Sequence, residues 1–308
     1  MPTIDLGATP ASPEPAGLLA SLPRRLTLTL PELRLAAELT DGAPLPFEVG
    51  APRAGVLDSR LGRSTGEDEA AYAAALAALP EPDAALSRRG LLRGDALDEG
   101  LRGAIGLLAT PTVAVDLDVS AGRGRAKAWH RQAGGAVATL ATADGIVFEL
   151  AWFPVERWGE ELARAAVLPE EVVVARSVVP DGLDLPYELL DAAAEAARSG
   201  RGDLLSVLAV EHAAGCRGAD GAPIPELELL GVLQGLTSEC RGRLRALVAD
   251  VSGESTDVAG VVSWLLLADG WRSLRPRHVG SVGHVTVTRV ASPDLALALA
   301  PVLAEVAR

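Results

Sequence analysis

Asp116 and Asp118 stand two apart in the apolar stretch Thr112 to Val119, and they are the first candidates in this sequence for acid–base or metal chemistry. A strand turns alternate side chains to one face, so both carboxylates would point the same way. Such a pair suits a divalent cation, or the division of acid and base roles. No third ligand or nucleotide loop accompanies them, and a solvent-facing strand accounts for the pair equally well. The four histidines, His130, His212, His278 and His284, have no metal-ligand spacing among themselves. Glu211 and His212 are adjacent, and neighbours on a helix diverge by about 100°. Cys216 and Cys240 form neither a disulfide framework nor a metal pattern and read as free thiols. Gly122-Arg123-Gly124-Arg125 is glycine-rich, but it lies between two strands, and a phosphate cradle needs a helix N-terminus that is missing there. Ser252-Gly253-Glu254-Ser255 reads as a turn. The expectation is therefore no catalytic residue, no cofactor and no metal.

The elements that would position these groups follow from pattern. Of 308 residues, 49% are hydrophobic and 22% charged, enough for a substantial core without disulfides. The formal net charge of −13 opposes binding to nucleic acid or to an anionic membrane surface; the one basic cluster is Arg123, Arg125, Lys127 and Arg131. The first twenty residues lack a basic start followed by an apolar run, and no apolar stretch is long enough to cross a bilayer, so a cytoplasmic location is expected. Residues 1–24 are proline-rich and read as a disordered extension.

Leu26, Leu28 and Leu30 alternate with period two, a strand, and Pro31-Glu32 opens a helix to about Leu39. Pro46 to Val49 is a short extended piece, followed by a Gly/Arg-rich loop over residues 50–63. Helices are expected near 67–79 and 95–109. A strand at 112–119 leads into a meander over 125–132, 136–143 and 146–152, with turns at Gly134-Gly135 and Asp144-Gly145. Pro154 starts the next helix. After Pro169, helices near 186–198, 203–213 and 225–237 precede strands at 243–251, 258–268, 271–274 and 282–290 and a last helix over 293–306. Ala143-Asp144-Gly145 returns as Ala268-Asp269-Gly270, and Pro154 and Pro293 hold equivalent places. Two similar halves, about 25–168 and 169–308, are expected to build one antiparallel sheet with helices packed on it, an α+β fold. Of the five tryptophans, Trp129, Trp152, Trp264 and Trp271 fall on predicted strands and Trp158 on a helix. Core packing is the expected role, with a partner-facing aromatic patch as the alternative.

Four blocks resemble the EspG family of proteins associated with ESX, or type VII, secretion. They are Leu26-Thr27-Leu28-Thr29-Leu30-Pro31-Glu32-Leu33 continuing to Leu45-Pro46-Phe47; Leu86-Ser87-Arg88-Arg89-Gly90-Leu91-Leu92 through Leu97 to Val119; the meander from Arg125 to Trp152; and Val261 to Leu274 with the Thr286 strand and final helix. The resemblance rests on order and spacing rather than on a tight motif. It implies a central antiparallel sheet with a quasi-twofold repeat, flanked by two helical bundles, in a single EspG-like domain over 25–308. It also implies a cytosolic chaperone that binds the helical tip of a PE–PPE-like pair and keeps it soluble for export. The family's contacts come from the loop between the first two long central strands, the sheet face and the carboxy-terminal bundle. Carried over, these give Ser120, Gly122, Arg123, Arg125 and Trp129 as partner-binding residues, and helices within 186–237. Two other readings stay open on the residues alone: a metal-dependent enzyme using Asp116 and Asp118, and a self-assembling module that uses its sheet edges.

Overall fold

Leucines alternating at 26, 28 and 30 open the fold, and one order of elements then runs twice along the chain. In the computed structural model, which describes residues 24–47 and 65–306, the first run begins with β1 (Arg24–Thr29), α1 (Leu30–Glu38), α2 (Thr65–Ala77) and α3 (Pro82–Arg88). A small hairpin, β2 (Leu92–Arg93) and β3 (Ala96–Leu97), leads to α4 (Glu99–Ala109). The meander is β4 (Val113–Ala121), β5 (Gly124–Ala133), β6 (Ala136–Thr142) and β7 (Val147–Pro154), followed by α5 (Trp158–Ala165). The second run is β8 (Leu183–Pro186), α6 (Tyr187–Arg198), α7 (Leu204–His212) and α8 (Glu226–Ser238). Its meander is β9 (Gly242–Asp250), β10 (Asp257–Leu267), β11 (Gly270–Val279) and β12 (Val282–Arg289), followed by α9 (Asp294–Val306).

Ten strands form one antiparallel sheet in the order β1-β7-β6-β5-β4-β9-β10-β11-β12-β8. Each meander begins at the middle of the sheet and steps outward, and the opening strand of each run closes the outer edge. That is the expected quasi-twofold α+β architecture.

The chain divides into two compact units. The first holds the residues up to Pro111 together with Arg131–Leu140 and Gly145–Val155. In it β1 pairs with β7 so that Leu26 faces Leu150 and Leu28 faces Phe148. Thr29 caps α1 by accepting from the Glu32 amide, while the Glu32 carboxylate accepts from the Thr29 amide at 2.8 Å, a reciprocal capping box. Leu30, Leu33, Ala36 and Ala37 of α1 pack with Leu86 of α3 and with Leu101, Ile105 and Leu108 of α4 into a buried cluster. Asp98 caps α4 on the Leu101 amide and holds Arg24 at 2.8 Å. Gly100 lets α4 approach the sheet, since a Cβ there would lie 2.9 Å from the Trp152 ring. Phe47 stacks on Phe148 with ring centroids 5.0 Å apart.

The second unit holds Thr112–His130, Ala141–Asp144 and the residues from Glu156 on. On one sheet face, α6, α7 and α8 bury Leu189, Ala193, Leu205, Leu229, Val232 and Leu233 against Leu183, Leu185, Leu265, Val285 and Val287. On the other, α9 packs on β9 and β10 and against α5. Gly260 permits that approach, a Cβ there falling 2.9 Å from Val302. Arg272 is wholly buried and donates to Val179 O at 3.0 Å, to Asp181 and Pro180 O at 3.2 Å, and to both oxygens of Asp269. This pins the segment that leads into β8 to the β10–β11 turn.

Several expectations need correction. β1 includes Arg24 and Arg25, ahead of the alternating leucines that marked it. The 1–24 extension otherwise lies outside the described residues, as do the 50–63 loop and residues 48–49 of the extended piece. The helix expected from about 95 begins at Glu99, because α3 over Pro82–Arg88 and the β2–β3 hairpin come first. Pro154 does not start a helix. It is the last residue of β7, where a residue without an N–H can end a ladder, and α5 starts at Trp158 after one tight turn. The helix expected from 186 starts at Tyr187, because Pro186 is the last residue of a four-residue edge strand, β8.

The two Ala-Asp-Gly strings are not equivalent. Ala143-Asp144-Gly145 joins the third and fourth strands of its meander across a four-residue loop, whereas Ala268-Asp269-Gly270 joins the second and third across two residues. The repeat lies in element order, and the matching string is coincidence.

Candidate functional site

In the second unit, β4, β9, β10 and the part of β5 up to His130 present one face to solvent. Val115, Leu117, Leu244, Ala246 and Val248 point the other way and are buried. Alternation therefore sends Asp116, Asp118 and Ser120 of β4 to the open face. The register sets Ser120 opposite Arg243, Asp118 opposite Arg245 and Asp116 opposite Leu247. Arg243, Arg245 and Asp118 are exposed, and Val261 of β10 lies across from Leu247. On β5, His130 faces α5, because its Nδ1 accepts from Trp158 Nε1 at 2.9 Å. Arg125, Lys127 and Trp129, of the opposite parity, join Ser120 on the open face.

The β4–β5 turn is two residues, Gly122 and Arg123. Gly122 has φ of +60°, a left-handed conformation that an L side chain rarely adopts, and its amide donates to Arg241 O at 2.9 Å. Ser120 reaches across the strands, its Oγ accepting from the Arg243 amide at 2.9 Å. Gly242 sits under this contact: a Cβ there would fall 2.0 Å from the Ser120 carbonyl oxygen. Beside the turn runs an apolar segment that pattern reading passed over. Val173, Val174 and Val178 are 72%, 55% and 70% exposed. The segment is tied down by its backbone: Arg241 donates to Val173 O at 2.8 Å, the Ala175 amide to Ala268 O at 2.7 Å, and the Val178 amide to Glu239 at 2.8 Å. The run Val172-Val173-Val174 after Glu170-Glu171 was a usable signal, an apolar stretch with neither helical nor strand partners of its own.

Glu239 also accepts from Ser177 Oγ at 2.6 Å and from the Ala268 amide at 3.3 Å. Burial pushes its carboxyl up, but the hydrogen bonds from Ser177, Val178 and Ala268 and the Arg272 charge outweigh it, and the group titrates below its ordinary range. It works as a clamp on the valine segment.

The other sequence candidates are dispersed. Trp152, Trp158, Trp264 and Trp271 are buried, and Trp129 is the half-buried one. His284 lies against Asp184 at 3.3 Å, and Asp184 also pairs with Arg277, whose hydrogen bond holds that carboxyl below its ordinary value. His212 ends α7 and His278 lies exposed on β11. Cys216 is buried, which pushes its thiol up to about 11, and Cys240 is exposed and unlinked. Asp116 and Asp118 do share the open face, but among the described residues no three His, Cys, Asp or Glu side chains converge as metal ligands. Among the same residues no helix is long and apolar enough to cross a membrane.

No protein-family model matches this sequence, and no curated protein matches it. The solved structures give a clear likeness: the type VII secretion system chaperone EspG5 of Mycobacterium tuberculosis in complex with a PE25–PPE41 dimer. It aligns over 91% of this chain and 96% of that one, with a TM-score of 0.56 at 11% sequence identity. The fold is EspG-like.

Proposed function

We propose that this protein is a cytoplasmic, non-enzymatic chaperone of a type VII (ESX) secretion system, binding a helical secretion substrate of the PE–PPE kind and keeping it soluble for export. The observation that carries the reading is the likeness in fold to a chaperone solved with a PE–PPE pair, which extends over nearly the whole of both chains. The open face supports it physically. Val173 and Val174, exposed just after the Val172 that lies beside the Gly122 turn, and Val178, exposed next to α8, leave apolar surface in water, and such patches commonly mark a partner site. Ser120, Gly122, Arg123, Arg125 and Trp129 belong to the proposed contact, extended by Val173, Val174 and Val178. In this reading residues 25–308 act as one domain of two similar halves, about 25–168 and 169–308.

Co-expression with the helical secreted proteins encoded beside its gene, followed by size-exclusion chromatography, tests the proposal. A stable complex should elute ahead of the free protein. If every candidate elutes separately, the chaperone reading fails.

A further inference from the structure

The open face is cationic on an otherwise acidic protein. Acidic residues outnumber basic ones by 41 to 28 in the chain. Yet Arg125 and Lys127 of β5 and Arg243 and Arg245 of β9 gather on this face with Asp116 and Asp118 between them, and Arg123 stands in the turn beside them; the exposed Glu170 and Glu171 precede Val172 next to that turn. All five cationic residues are exposed. None of their side chains has an ion-pair or hydrogen-bond partner among the described residues. Two sequence segments more than a hundred positions apart supply them, and they are neighbours because Ser120 pairs with Arg243.

Positive charges outnumber negative ones across the neighbouring strands β5, β4 and β9, so an opposite charge on a partner would be attracted here. We propose that the partner segment seated here is an acidic helical tip, with carboxylates over Arg243, Arg245 and the hairpin and an apolar edge against Val173 and Val174. This rests on the chaperone reading and adds to it the chemistry of the client. A protein is favoured over a nucleic acid for two reasons. The valine segment offers nothing to a phosphate backbone, and the net charge of −13 opposes a long polyanion far more than a short acidic tip.

Fluorescence anisotropy tests it with three synthetic helix-turn-helix peptides on one scaffold, whose turn positions are all Glu, all Gln or all Lys, and with a short DNA duplex. The Glu peptide should bind about tenfold more tightly than the Gln peptide at low salt, with the advantage lost at high salt. The double variant Arg243→Glu/Arg245→Glu should keep its melting temperature, since both side chains are exposed, and should prefer the Lys peptide. Equal binding of the Glu and Gln peptides, or unchanged preference in the double variant, overturns the acidic tip while leaving a helical client in place. Failure of all three peptides to bind sinks the chaperone reading and this inference with it. DNA that binds as tightly as the Glu peptide and displaces it would make the face a phosphate reader and overturn the proposal.

Discussion

Glu239 shows how one residue couples folding to the candidate site. Its carboxylate takes hydrogen bonds from Ser177 Oγ, from the Val178 amide and from the Ala268 amide, so it joins the valine segment to the β10–β11 turn. Its acidity is raised in the folded state, with a pKa below the ordinary value of 4.5. For such a group the stabilising contribution is complete above the unfolded pKa and is lost as pH falls through the folded one. Between neutral pH and about pH 5 stability should therefore be insensitive to this residue, and further acidification should release the segment. Hydrogen exchange of the 172–179 amides, followed from pH 7 downward, should show opening below that point. In Glu239→Gln the same amides should exchange faster already at neutral pH, by an amount matching loss of about 1–2 kcal/mol, and with a weaker dependence on acid. Equal protection in both proteins at neutral pH would mean that Glu239 does not hold the segment.

At the scale of elements, the β4–β9 pairing carries the site. It brings the hairpin and the β9 arginines together, and its closest approach is at Gly242, under the Ser120 carbonyl. A methyl group there has backbone on its far side rather than a flexible side chain, so the strands must part. We expect Gly242→Ala to destabilise the protein by about 2 kcal/mol or more, at or above the upper part of the range for overpacking, with faster hydrogen exchange concentrated in 119–125 and 241–245. Gly260→Ala, which meets only the side chain of Val302, serves as the comparison and should leave the hairpin amides unchanged. Outer strands are guarded in each unit. In the first, Arg89 donates to Thr27 O of β1 at 2.7 Å; in the second, Asp184 of β8 exchanges backbone hydrogen bonds with Arg217. Both arrangements occupy groups that would otherwise recruit another strand, which weighs against assembly through the sheet edges.

For the whole molecule, the twice-run order of elements makes a wide sheet from two modest meanders. A rigid sheet face suits recognition by shape and charge, and here it carries two carboxylates without a third ligand. The melting temperature should accordingly be unchanged by Mg²⁺, Mn²⁺, Ca²⁺ or Zn²⁺, since a ligand that binds the native state raises it in proportion to its affinity. A clear rise with any of them, abolished in Asp116→Asn/Asp118→Asn, would revive the metal-enzyme reading. Most of this architecture was legible in the sequence. β1 announced itself by alternation, and the other long strands were expected near their places except β11, which runs over Gly270–Val279 where only 271–274 was expected, because Arg275-Pro276-Arg277-His278 carries no apolar signal. The gaps have physical causes. β8 has four residues, too few for a period to register, and Pro154 looks alike whether it closes a strand or opens a helix.

The open face divides the same way. Local pattern placed a short connection between strands at 112–119 and 125–132, while Ser120, Gly122, Arg123, Arg125 and Trp129 came from the family resemblance; the strands in fact run on to Ala121 and from Gly124, which puts Ser120 and Arg125 inside them and leaves a two-residue turn. Pattern alone also set Asp116 and Asp118 on one face. It could not show that Arg243 and Arg245 stand beside them, or that Val172 lies next to the Gly122 turn. Those neighbours come from strand register and from hydrogen bonds such as Arg243 to Ser120 and Arg241 to Val173, between residues 123 and 68 positions apart. Charge and apolarity were written along the chain, and only tertiary structure gathered them onto one surface.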